Sequence, residues 1–267
     1  MDKNKRADSP AAVGRTVKKQ ELNKKKRGND LRRFANPMTI LLLCFMAYSS
    51  FRSGQFSNPK EWLMGELLML PGILIALSFH EFGHAFVADR LGDNTPRAQG
   101  RVSINPAAHI DLIGLIALLF VGFGWGKPVE IDPRNFKKPR RDELLVSVAG
   151  VLMNLILAVI FTLVLRFYVD GTGAGFSSSG MAGSIYTMIF YIIYINLILM
   201  IFNLLPVPPL DGFNILTEIF DLKRYSWWYT VYDKGFFILM VLILFNFTDR
   251  ILTPCISFFL NLLSYLM

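Results

Sequence analysis

Apolar residues fall along this chain in blocks separated by short polar stretches. A helix that crosses a bilayer needs about 20 predominantly apolar residues. The blocks at 37–51, 62–91, 144–169 and 182–205 suit that requirement, the first only by borrowing neighbouring residues. The stretch 235–267 is apolar but interrupted by Asp249-Arg250 and Pro254, so it reads as one kinked helix or as two short ones. Residues 110–125 are hydrophobic but short, with Gly114, Gly122 and Gly124 inside. The pattern predicts an all-α polytopic membrane protein with about five to six transmembrane helices.

Charge orients these blocks. Arg97 and Arg101 precede the 110–125 segment, and Lys127, Arg134, Lys137, Lys138, Arg140 and Arg141 follow it. Basic loops stay on the cytoplasmic side. With both flanks on one side, the segment should dip into the membrane and return, which is tolerated where backbone is buried in protein or lines a cavity. The flanks 99–104 and 127–131 partly alternate, so a short membrane-associated β hairpin is expected there. The loop 170–181 lacks Lys and Arg and belongs outside. The N-terminus is then cytoplasmic, and the ends of 62–91 and 182–205 meet at one depth. Trp62, Trp227 and Trp228 fit interfacial anchors.

Composition agrees: 53% of the 267 residues are hydrophobic. The net charge of +8 resides entirely in residues 1–33, which hold 12 Lys/Arg against 4 Asp/Glu. Residues 1–35 read as a disordered basic cytoplasmic tail that touches anionic lipid, and 36–267 as a single membrane-embedded domain. The tail has no interleaved aromatics, which argues against a nucleic-acid partner. It is too long and too charged for a signal-peptide n-region. Cys44 and Cys255 lie in apolar segments and imply neither a disulfide framework nor a zinc ligand pair.

The chemistry sits in the second block, at His80-Glu81-Phe82-Gly83-His84. Histidines at i and i+4 share a helix face and can reach one Zn2+, with Glu81 as general base for a water at the metal. The same match on a soluble helix often means two exposed histidines. On an apolar helix three ionisable groups need a satisfying environment, which favours the metal. A catalytic zinc takes three protein ligands. The candidates for the third are Asp211, in Pro206-Val207-Pro208-Pro209-Leu210-Asp211-Gly212, and His109. The prolines prevent a regular helix before Asp211 and Gly212 permits a bend after it. Taken alone the Asp-Gly is a turn signal, whereas topology brings it to the depth of the histidines. His109 also suits a cap on the 110–125 dip or a hydrogen bond to a loop carbonyl. Asn154, mid-span, suits a helix–helix hydrogen bond or a donor to an oxyanion. Asn196, on one face with Asn203, reads as packing glue.

Taken with Ser78-Phe79-His80-Glu81-Phe82-Gly83-His84-Ala85, several further stretches are distinctive: Gly100-Arg101-Val102-Ser103-Ile104-Asn105-Pro106, His109-Ile110-Asp111, Phe123-Gly124-Trp125-Gly126-Lys127-Pro128-Val129, Asp132-Pro133-Arg134-Asn135-Phe136 and Pro206 to Gly212. In these the chain resembles the site-2 protease family of intramembrane zinc metalloproteases, peptidase family M50, most of all its short bacterial branch without a PDZ domain. The resemblance covers about residues 60 to 262. It implies that His80, His84 and Asp211 hold Zn2+, that Glu81 is the general base and that Asn154 contacts substrate or oxyanion. Val151 stands where the family usually has proline.

The expected activity is a zinc metalloendopeptidase that hydrolyses peptide bonds in transmembrane segments of substrate proteins. The expected setting is multi-pass in a bacterial cell membrane, in contact with lipid and with regulatory membrane partners. The alternatives are a non-proteolytic membrane zinc-binding protein or pseudo-protease, and a zinc peptidase acting on soluble peptides. Retention of Glu81 argues against the first, since binding alone needs no base.

Overall fold

The computed structural model describes residues 37–267 apart from Ser53, Gln55 and Ser177. The basic tail expected over 1–35 lies outside the described residues. The helices in chain order are α1 (Pro37–Arg52), α2 (Pro59–Arg90), α3 (Thr95–Ala98), α4 (Pro106–His109), α5 (Leu112–Val121), α6 (Pro139–Thr172), α7 (Gly180–Asn203), α8 (Asp211–Phe220), α9 (Ser226–Asp233), α10 (Gly235–Leu244) and α11 (Phe247–Ser264). Among the described residues, α2, α6 and α7 are long and apolar enough to cross a membrane. A fourth span arises if α9 and α10, bent by 58° to each other, are taken together. The expected five to six spans are not reached by length and composition: α1 has 16 residues, and α11 carries Asp249 and Arg250 in its first turn.

The three long helices pack on one another. α6 shows how they divide their surface. Val151, Asn154, Ala158, Thr162 and Leu165 recur at three- and four-residue steps and are buried. Leu152, Ile156, Ile160, Leu163 and Phe167 are apolar yet exposed. A helix apolar on all faces fits a lipid surround better than water.

The 110–125 segment does turn back on itself. The Asp111 side chain accepts from the N–H groups of Ile113 and Gly114, both at 2.9 Å, and starts α5. Gly122, with φ 76°, ends it. The chain then runs back so closely that a Cβ on Gly114 would strike the Trp125 carbonyl, and one on Gly124 the Gly114 carbonyl. The return closes at a single antiparallel bridge between Ile110 and Gly126.

No strand forms over 99–104 or 127–131, so the β hairpin read from their alternation is corrected. Three groups prevent a ladder. Pro128 has no N–H to donate. Ser103 N–H turns back onto the Arg101 carbonyl at 2.8 Å. The Arg101 guanidinium donates to the Ala108 carbonyl and reaches that of Lys127. The two stretches meet instead through side chains, Gln99 donating to Glu130 at 2.9 Å.

The stretch 235–267 is two helices. They part at Phe245-Asn246, where Asn246 takes a left-handed φ of 57°, and Pro254 is accommodated inside α11. Trp228 is not a lipid anchor: it is buried, stacks between Phe213 and Tyr232, and donates to Thr217. After α2, the buried Asp93 gathers the loop that follows. It accepts from Thr95 N–H and Oγ1, Asp132 N–H and Asn135 Nδ2, all within 3.0 Å.

Candidate metal centre

His80 and His84 lie one turn apart on α2, on the face packed against α6. The contact is close because both helices are small there. A Cβ on Gly83 would come within 2.9 Å of the Ala149 carbonyl. One on Gly150 would collide with both imidazoles. Val146, Gly150 and Asn154 form an i, i+4, i+8 stripe along α6. The Val146 carbonyl pairs with His84 Nδ1 at 2.7 Å, Gly150 leaves room for the rings, and Asn154 Oδ1 pairs with His80 Nδ1 at 2.6 Å.

Asp211 opens α8. The chain between α7 and α8 folds over that first turn, with Val207 N–H on the Leu205 carbonyl and Leu210 N–H on the Val207 carbonyl. Gly212 is needed beneath it, since a Cβ would overlap the Leu204 carbonyl. Arg140 of α6 donates to the Glu218 and Ile219 carbonyls and fixes the other end of α8. So anchored, α8 sets Asp211 Oδ2 at 3.2 Å from His80 Nε2 and 3.3 Å from His84 Nε2, with the two nitrogens 3.1 Å apart.

The hydrogen bonds assign the protons. A carbonyl only accepts, so His84 Nδ1 carries hydrogen toward Val146, and in the neutral ring that a metal requires Nε2 keeps its lone pair. Three acceptor atoms then converge with no donor among them, and Asp211 Oδ2 is buried without a hydrogen-bond partner. A cation resolves this. Donors placed about 2.0–2.1 Å from a tetrahedral zinc stand about 3.3 Å from one another. The observed edges of 3.1, 3.2 and 3.3 Å fit.

The remaining candidates fall elsewhere. Among the described residues, His80, His84 and Asp211 form the one group able to hold a metal, and His109 is outside it. His109 is buried with Nε2 on the Ser103 carbonyl at 2.6 Å, so it knits the loops 101–110 together. Glu81 is half-buried, and its Oε2 accepts from Val129 N–H at 3.0 Å. Asn154 is fully buried, and its Nδ2 donates to the Ala76 carbonyl at 3.1 Å and to Asn196 Oδ1 at 2.9 Å. Both its amide hydrogens are engaged, so it offers no free donor to an oxyanion. The sequence reading missed Gly150 and the Val146 carbonyl. The i, i+4 spacing from Asn154 was the available signal.

Residues 68–245 match the profile described as Peptidase family M50. The chain is 37% identical over 189 residues to "Putative zinc metalloprotease YwhC" of Bacillus subtilis, covering 69% of this chain and 84% of that protein. It is 28% identical over 223 residues to "Putative zinc metalloprotease Rip2" of Mycolicibacterium smegmatis, covering 80% of this chain and 83% of that one. A third relative, "Zinc metalloprotease MJ0392" of Methanocaldococcus jannaschii, is 25% identical over 155 residues, 58% of this chain and 34% of its own. No solved structure matches the chain significantly. The chain belongs to peptidase family M50, the site-2 protease family, and is a metalloprotease.

Proposed function

We propose that the protein is a zinc-dependent endopeptidase that cuts peptide bonds within transmembrane segments of other membrane proteins. The observation that carries the reading is the convergence of His80 Nε2 and His84 Nε2, on a helix apolar enough to span a membrane, with Asp211 Oδ2 of α8, three ligand atoms with no donor between them. His80, His84 and Asp211 hold the metal in this reading. The names of the relatives support zinc as its identity. When bound, zinc supplies Lewis-acid polarisation of the scissile carbonyl and makes water nucleophilic near neutral pH.

This chain's own residues do the rest. Glu81, between the two histidines in sequence and the one carboxylate on that turn, takes the proton from the attacking water and returns it to the leaving amine. Its hydrogen bond from Val129 N–H ties the base to the segment after the dip. A substrate helix must unwind to expose a peptide bond, since helical amides are already paired. The exposed apolar face of α6 is what lipid covers, which supports a multi-pass setting. The basic residues on both sides of α5 support a cytoplasmic position for those loops and for the N-terminus.

The test is cleavage of labelled transmembrane peptides by the zinc-loaded protein beside Glu81→Gln, with zinc measured in both. The reading expects equal zinc and a fall in cleavage of at least ~100-fold, the scale of a lost general base. Cleavage unchanged in Glu81→Gln would refute the assignment of the base. Cleavage of soluble peptides in preference to membrane-embedded ones would refute the substrate class.

A further inference from the structure

Two buried amides in the helix core have a fixed direction. Asn196 of α7 donates through Nδ2 to the Ile192 carbonyl at 2.8 Å. A carbonyl cannot donate, so Asn196 Oδ1 must be the atom that faces α6. There it accepts from Asn154 Nδ2 at 2.9 Å. Asn154 Nδ2 also donates to the Ala76 carbonyl of α2 at 3.1 Å, which independently fixes the amide the same way round. Asn154 Oδ1 is therefore the atom at 2.6 Å from His80 Nδ1, and that nitrogen must carry the hydrogen. Both asparagines are wholly buried, so no water competes for these bonds.

We propose that Asn154 and Asn196 form a relay that sets the tautomer and ring orientation of His80, so that its Nε2 lone pair is presented to the metal. Asn154 is then a positioning residue for the metal and makes no contact with substrate. The proposal rests on the reading that His80, His84 and Asp211 are the ligands. It explains why a polar pair sits in the apolar packing of three helices. His84 obtains the same service from the backbone carbonyl of Val146. His80, one turn earlier on α2, meets α6 at Asn154, and the side-chain oxygen there takes that role. Hydrogen-bond partners of metal-bound histidines typically govern affinity by ~10–100-fold.

The full chain in detergent, stripped of metal, is titrated with Zn2+ against a competing chelator and separately loaded with Co2+ for its visible d–d spectrum. Asn154→Leu removes both oxygen and amide. The expected result is a zinc Kd raised ~10–100-fold with shifted cobalt bands. Asn154→Asp keeps an acceptor toward His80 but loses the amide that donates to Asn196 and Ala76, so it should recover part of the affinity lost in the Leu variant. Zinc affinity and cobalt bands unchanged in Asn154→Leu, with cleavage lost, would overturn the proposal and make Asn154 a substrate contact. Equal losses in the Leu and Asp variants would also overturn it, since both change packing but one keeps the acceptor. If Asn154→Leu does not fold, Asn196→Leu decides: a shifted cobalt spectrum supports the relay and one identical to wild type overturns it. His84→Ala and Asp211→Ala are run alongside. Wild-type zinc affinity in both would fail the ligand set itself, an outcome separate from any result at the asparagines.

Discussion

Asp93 and Asp211 are aspartates removed from water in the same protein, and their surroundings are opposite. Asp93 is surrounded by donors: Thr95 N–H and Oγ1 and Asn135 Nδ2 converge on Oδ1 and Asp132 N–H reaches Oδ2, so each oxygen has a partner. Burial pushes its carboxyl up, but those hydrogen bonds outweigh it and hold the group below the usual range. Asp211 instead points Oδ2 at two imidazole nitrogens whose hydrogens are committed elsewhere. A buried carboxylate with a donor on each oxygen is satisfied, and its function is to hold the loop. One with an orphan oxygen among other acceptors is unstable unless a cation arrives. The difference separates a structural knot from a candidate metal site, and burial would not have found it: Asp93 is the more deeply buried of the two.

The strongest test of this contrast is to exchange the chemistry at both positions. Asp211→Ala should abolish cleavage and lower zinc affinity by several orders of magnitude, read by metal analysis after dialysis. Asp93→Ala should leave zinc stoichiometry at wild-type level. Equal zinc in the two variants would break the comparison. A second test removes the metal. Zinc at about 100 times its Kd stabilises a folded protein by ~2.7 kcal/mol. Chelation should therefore lower the thermal midpoint in wild type, and added zinc should restore it. In Asp211→Ala the midpoint should barely respond to chelator. A chelator shift as large in Asp211→Ala as in wild type would place the stabilising ion elsewhere.

Much of this was legible in the residues. The extents of α2, α6 and α7 follow from hydropathy, because a helix must pair its own amides wherever water is absent. The pairing of the histidines on one face follows from helical periodicity, whereas the punctuation around Asp211 reads as a turn and only topology sets it ahead of His109. What could not be read is contact between helices. Asn154 reads as a helix–helix hydrogen bond or as an oxyanion donor, and only the crossing of α2, α6 and α7 brings it to His80. Asn196 read as packing glue for the same reason. The failed hairpin over 99–104 and 127–131 has a different origin. Alternation scores side chains, but a ladder needs free backbone groups, and Arg101 and Pro128 take those away. The break in 235–267 falls at Asn246 and not at the charges or the proline. A left-handed residue is a local backbone choice that hydropathy does not register.

The smaller effects lie on the Asp93 side. Asp93→Ala strips partners from N–H and side-chain donors held in a buried loop, and each buried donor left unpaired costs about 1–3 kcal/mol. A drop in unfolding stability of that order is expected, with zinc binding intact. The pH dependence sharpens it further. Asp93 titrates lower in the folded chain than the ordinary aspartate value near 3.9. Its neighbour Asp132 is held down to about 2, chiefly by the Arg134 side chain. A depressed folded pKa means that the stabilisation is fully present above the unfolded value. It is lost as pH falls from there through the folded one. The stability gap between wild type and Asp93→Asn, followed by thermal unfolding in detergent, should be level from about pH 8 to pH 5 and close below about pH 4. A gap that closed already between pH 7 and 6 would mean that the group being protonated is a histidine. If that closure persisted in His109→Gln, the knot would draw its strength from His80 and His84, and the two aspartates would belong to one network.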